Sequence, residues 1–525
     1  MQTRKLAAAL ATLGSFALPI SGARAEEPLS AIDWLSNAVV APAPVARAKA
    51  PKAKPADDIA RSATPAAVVT TTLGKPNRDA VGLVPSSVTG IPPRFWGTTS
   101  SNTLAATMAD LRPDLPAPLA ELMRRLLLAE LTPPVDSGAS ETLFQARVDE
   151  LLAMGALDQA KALLDRADPG TAPLFQRWFD VSLLIGEEDA ACARMLRQPD
   201  LSPTYPARIF CMARAGDWDA ANLTLSTAKA LDAMTPAEDA LLARFLDPEL
   251  FEGDAPLPTP ARVTPLSFRM HEAIGEALPL SSLPNAFAYA GLSENGGWKP
   301  RISAAERLAR TGAIPASRLL AIYTERQPAA SGGVWDRVDA VQRYENALLS
   351  GDADDVAARL PDAVRAMRRA GLEPALAHMF GEATLKLSLP DTARSDATRL
   401  VLLSPAYEAA ANSDALASDT PALWGAIAKG DAATIKQLVR SGNLDALESA
   451  IATAASTDGP AESLAGLISG GNLGLATLKA VKMMEDGAGA DPLALENGLR
   501  TLRHLGFEDI SRRMALHTLI TRPRG

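Results

Sequence analysis

Aromatic residues make up only 5% of this 525-residue chain, and there are just two cysteines and four histidines. The scarcity of bulky rings argues against sheets of aromatic and β-branched strands, and abundant alanine favours closely packed helices. The four histidines, His271, His378, His504 and His517, include no pair at metal-ligand spacing on one helix. There is no H-E-x-x-H, no C-x-x-C, no Gly-Lys-Ser/Thr phosphate loop and no G-x-S-x-G elbow. The sequence therefore singles out no catalytic residue, no metal site and no cofactor site. After the N-terminus, no stretch of about 20 uninterrupted apolar residues occurs, so no integral span is expected.

Hydrophobic residues at 47% exclude global disorder. Arg4 and Lys5 precede the apolar run LAAALATLGSFALPI, and Ala23–Ala25 reads ARA, with small residues where a signal peptidase cuts. Residues 1–25 are expected to be a secretory signal peptide, cleaved after Ala25, which places the mature chain in the periplasm or outside the cell. Cleavage removes Arg4, Lys5 and Arg24 and no acid, taking the formal net charge from −9 to −12. A body this acidic repels nucleic acid and anionic membrane surfaces.

Residues 26–90 read as a short docking segment around Trp34 followed by a disordered Pro/Ala/Lys linker. Arg47, Lys49, Lys52 and Lys54 fit the solvated charge of such a tether, with contact to an anionic envelope polymer as the alternative. Order is expected from Ile91, with Phe95 and Trp96 forming an apolar cluster and SSNT supplying helix caps.

What the sequence does have is a short grammar repeated three times: GALDQA at Gly155, GEEDAA at Gly186 and GDWDAA at Gly216, spaced 31 and 30 residues apart. Each follows an apolar-periodic run; in the first, Phe144, Val148, Leu151 and Leu152 share one stripe, and Leu157, Ala160 and Leu164 share the next. Glycine ends the first helix with positive φ, and the acids that follow suit the positive end of the second. Similar joints are expected at Gly312, Gly351, Gly371, Gly430 and Gly506. One such hairpin cannot cover both apolar faces, so hairpins must stack. The expected fold is all-α, an irregular α-solenoid of stacked hairpins after a disordered N-terminal segment. Its parts are an N-terminal repeat region at 91–248, a Pro-rich interruption with short helices at 249–300, and a C-terminal repeat region at 301–525.

Cys192 and Cys211 flank the break PDLSPTYP symmetrically, so a disulfide between facing helices is geometrically open to them; two small buried core residues are the other reading. Gly332 and Gly333 read as loop glycines that start a helix carrying Trp335 and Val338 inward. Ser293, Glu294, Asn295 and Trp298 read as a turn with a packed Trp, and only secondarily as a general acid in a sugar groove. Trp178, Trp218 and Trp424 are expected in packing between repeats.

The hairpin grammar resembles the tetratricopeptide-like α-solenoids, which bind peptides or proteins, but departs from them in period and in the aromatic and proline pattern. PPRFWGTTSSNTLAATMADL, RRLLLAELTPP, LPNAFAYAGL with GWKPRISAAERLARTGAI, and LLAIYTERQPAASGGVWDRV together resemble an uncharacterised family of exported bacterial proteins, some labelled antifreeze glycopeptide-like. That resemblance implies a shared fold and export and supplies no catalytic residues. The irregular threonines, such as those at 70–72, do not form the ladder an ice-binding face needs. The function expected is a non-enzymatic periplasmic scaffold binding a protein or a cell-envelope polymer. The rival is a cell-wall enzyme of the lytic transglycosylase type, whose Glu-Ser signature appears here only reversed, at Ser293–Glu294.

Overall fold

The computed structural model describes residues 77–138, 140–413 and 420–522. The expected signal peptide, the Trp34 segment and the basic tether at 47–54 lie outside the described residues. Twenty-six α-helices dominate what is described; the strand content is one parallel pair, Val84–Pro85 beside Ala129–Glu130. The protein is all-α.

The three repeated segments form helical hairpins. Helix Thr142–Met154 turns at Gly155 into Leu157–Ala167, Ala172–Ile185 turns at Gly186 into Glu188–Arg197, and Tyr205–Arg214 turns near Gly216 into Trp218–Ala230. The φ values at these glycines are 83°, 80° and 83°. In each case the amide after the glycine reaches back five residues, as in Ala156 N–H to the Leu151 carbonyl at 2.8 Å and Glu187 N–H to Ser182 at 2.9 Å. This closure satisfies helix-end carbonyls that would otherwise lack partners. Gly312, Gly351, Gly371, Gly430 and Gly506 also lie between 65° and 88°. Asp217, Asp352 and Asp431 then cap the following helices by accepting their first free amides.

One expectation is corrected. Residues 77–90, assigned to the linker, are folded. Asn77 caps a 3₁₀ turn at Arg78–Ala80, and Asp79 within it is 1% exposed. Asp79 accepts from the Phe144 amide at 2.6 Å and from the Ser137 hydroxyl. Arg147, also 1% exposed, donates to the carbonyls of Val81 at 2.7 Å, Leu127 at 2.8 Å and Ala129 at 3.1 Å. Gly82 allows the strand pair to form, because a Cβ there would stand 2.3 Å from the Glu130 nitrogen. Composition called this stretch a linker because it carries few apolar residues; buried hydrogen bonds to distant helices order it instead.

The core includes Ile91, Phe95 and Trp96, as expected, and extends through the hairpins to Ile520. Several contacts join elements far apart in sequence. Helix Ala117–Leu128 packs on the last helix, Glu508–Thr521, and Ser101–Ala109 packs on Leu473–Met484. The Gly474 amide donates to the Phe95 carbonyl at 2.7 Å, and the Thr98 amide donates to Asn472 at 2.8 Å. Arg112 pairs with Asp486 at 2.7 Å and Arg513 with Glu121 at 2.8 Å. Trp96 covers Gly474 so closely that a Cβ would lie 2.4 Å from its ring. Helices near the start of this unit are thus bound to helices near its end. The 249–300 stretch contains helix Pro265–Ala273, the short helix Asn285–Ala288, 3₁₀ turns and the start of helix Trp298–Arg310; the first two helices pack back on Ala172–Ile185 and Thr142–Met154 respectively.

Candidate functional site

A groove of about 710 Å³ lies where the Gly186 joint faces the 265–295 stretch. This is within the size range of small-ligand pockets. One wall is the helix pair Glu188–Arg197 and Tyr205–Arg214. Cys192 and Cys211 join these two helices through a disulfide, with Cα atoms 4.9 Å apart. Both helices place side chains in the groove: Glu188 from the first, Phe210 and Arg214 from the second. Arg214 bonds to Glu188 at 3.0 Å and to Asp189 at 2.7 Å, while Glu188 Oε2 is buried with no partner. Phe245 stacks on Phe210 with ring centroids 5.5 Å apart.

Arg269 forms the opposite wall. Its Nε donates to the Leu183 carbonyl at 2.6 Å and its Nη2 to Leu184 at 3.3 Å, at the C-terminal end of helix Ala172–Ile185. A cation there complements the negative helix end. Glu272 holds the same guanidinium at 2.6 Å. At the third corner the Tyr289 hydroxyl donates to Asp158, and Arg318 donates to Asp158 at 3.1 Å and to the Tyr289 oxygen at 2.9 Å. Burial, reinforced by the bond to Asp158, pushes the Tyr289 phenol up to about 12. Each arginine is therefore fixed by a carboxylate, and the groove offers ordered donors and acceptors beside two aromatic faces.

Ser293 and Asn295 line this groove, but Glu294 does not; it is exposed on a 3₁₀ turn. Trp298 is buried, donates its indole N–H to the Ile322 carbonyl at 2.8 Å and lies 5.1 Å from the Trp335 ring. Gly332 and Gly333 precede helix Val334–Ser350; the Gly332 amide is taken by Asp336 at 2.8 Å, and Val338 is buried. Among the other tryptophans, Trp178 is buried and bonded to Asp165 at 2.7 Å and Trp424 is buried, whereas Trp218, expected in packing between repeats, is 48% exposed. His271 is buried, His378 and His504 are exposed, and His517 is half-buried. Among the described residues no group of three His, Cys, Asp or Glu could hold a metal ion, and no helix is long and apolar enough to cross a membrane.

Of the joints, only Gly186 lines the groove. Gly155 is tight against Leu308 and Asn285, and Gly312 sits under Arg124, so these two also serve packing between distant segments. Sequence reasoning missed Asp158, Arg214, Arg269, Tyr289 and Arg318, because no local pattern marks them. Comparison with protein-family models, with curated proteins and with solved structures finds no match to this chain.

Proposed function

We propose that the protein is a non-enzymatic scaffold, exported to the periplasm, whose helical hairpins stack into an irregular α-solenoid, and that it binds a segment of a partner protein in the groove at Gly186. The observation that carries this reading is the groove itself. Its arginines are held by Glu188, Asp189, Glu272 and Asp158, so they present directed hydrogen bonds without a large net charge. Such a surface suits the alternating donors and acceptors of an extended peptide, and the Phe210 and Phe245 faces can take an apolar side chain. The disulfide keeps one wall in shape, which lowers the ordering cost of binding.

Capture from envelope extracts on immobilised full chain tests the reading. A discrete protein band is expected with the wild type and should be lost with the double substitution Arg214→Glu and Arg318→Glu. A band that survives the substitution would place binding elsewhere. Incubation with purified peptidoglycan tests the enzymatic rival: no fragments should be released. Release that disappears in Glu294→Gln would replace the scaffold reading. Export predicts a mature chain beginning at Glu26, read by mass spectrometry of the periplasmic fraction.

A further inference from the structure

A second cleft, of about 590 Å³, shares no lining residue with the groove. It lies between helix Thr142–Met154 and the segment from Ala105 to Pro113. Its walls are mainly short and apolar, with Ala105, Ala109, Leu111 and Ala146 prominent among them. Two carboxyl groups and one guanidinium line it. Arg177 is committed: it grips Asp149 through two bonds of 2.7 Å and donates its remaining nitrogen to the Pro173 carbonyl at 3.0 Å. Asp149 and Arg177 therefore neutralise each other, and Glu150 is left over. Glu150 is 5% exposed, its Oε1 is buried without any hydrogen-bond partner, and it belongs to the cleft wall. Leaving a buried carboxyl unpaired is costly, and a single cation would relieve that cost.

We propose that this cleft receives a small primary alkylamine, with the ammonium bonded to Glu150 and the methylenes against Ala105, Ala109 and Ala146. The apolar walls bury the stem, while the carboxyl supplies a charge-assisted bond. Burial alone pushes Glu150 up to about 7, with no cation contributing, which agrees with an acid awaiting its partner.

Calorimetric titration of the full chain with n-butylammonium, and with n-butanol as the uncharged control, tests this. Saturable binding of the amine and none of the alcohol is expected. Glu150→Gln should weaken amine binding at least about ten-fold, a loss of about 1.4 kcal/mol. Ala146→Leu, which fills the cleft and leaves the carboxyl in place, should weaken it comparably and guards against a folding defect in the first variant. No saturable amine binding, equal binding of amine and alcohol, or unchanged affinity in a folded Glu150→Gln protein would each overturn the proposal.

Discussion

At the scale of single residues, positive-φ glycines and buried charged groups govern the outcome. Gly506 has φ of 88° and open space where a Cβ would go, so Gly506→Ala isolates the backbone term. It should cost about 1–2 kcal/mol. Gly466 lies inside helix Glu462–Ser469, also with open space around it, and Gly466→Ala should instead stabilise by about 0.5–1 kcal/mol. Urea unfolding of the two variants checks the opposite signs. Glu150 gives a pH prediction. Its carboxyl is held protonated by burial up to about 7, whereas the unfolded group titrates near the ordinary value of 4.5. The folded pKa is the higher one, so the unfolded chain gives up its proton first and stability falls as pH rises through this window. The penalty is absent below the unfolded pKa and complete above the folded one. At pH of about 8 Glu150→Gln should be more stable than the wild type by about 2–3 kcal/mol, and at about pH 4 the two should be nearly equal. Asp180, pushed up to about 7 by burial against the opposing effect of Arg177, acts in the same direction in both proteins, so the difference between them isolates Glu150.

At the scale of elements, the hairpin is the unit, and it was readable because its signal is local. A glycine, an acid and two apolar stripes within about thirty residues specify the turn and both helices. The groove was unreadable for the converse reason. Arg318 and Asp158 are 160 residues apart, and Arg269 finds the Leu183 carbonyl across 86 residues. No periodicity brings such pairs together; only the packing of the 265–295 stretch against earlier hairpins does so. The same cause explains residues 77–90, where Asp79 reaches an amide 65 residues on. For Cys192 and Cys211, position between facing helices left two readings open, since sequence cannot say which way side chains point. The bridge closes a separation of 19 residues, and a loop of that size contributes about 3 kcal/mol by restricting the unfolded chain. Replacing both cysteines by serine should lower stability by about 2–4 kcal/mol. It should also raise amide hydrogen exchange in helices Glu188–Arg197 and Tyr205–Arg214 before it does so elsewhere.

At the scale of the whole described unit, the joining of early and late helices sets cooperativity. In an open stack each hairpin touches only its neighbours, and ends unravel independently. Here Ala117–Leu128 rests on Glu508–Thr521, and Phe95 meets Phe507 with ring centroids 6.2 Å apart. Truncation after Gly506 removes that support. It should expose helix Ala117–Leu128 to hydrogen exchange, although more than 370 residues separate it from the cut. Exchange confined to the immediate neighbours of the missing helix in sequence would show that the two ends fold separately.

The scaffold reading rests on the groove being a binding surface in the cell. Photo-crosslinking from Asn295, which lines the groove, tests it against the same probe at Leu349, which is 78% exposed on another hairpin. The account predicts one discrete protein adduct from Asn295 and none from Leu349. Adducts absent from both positions, or identical at both, would contradict it.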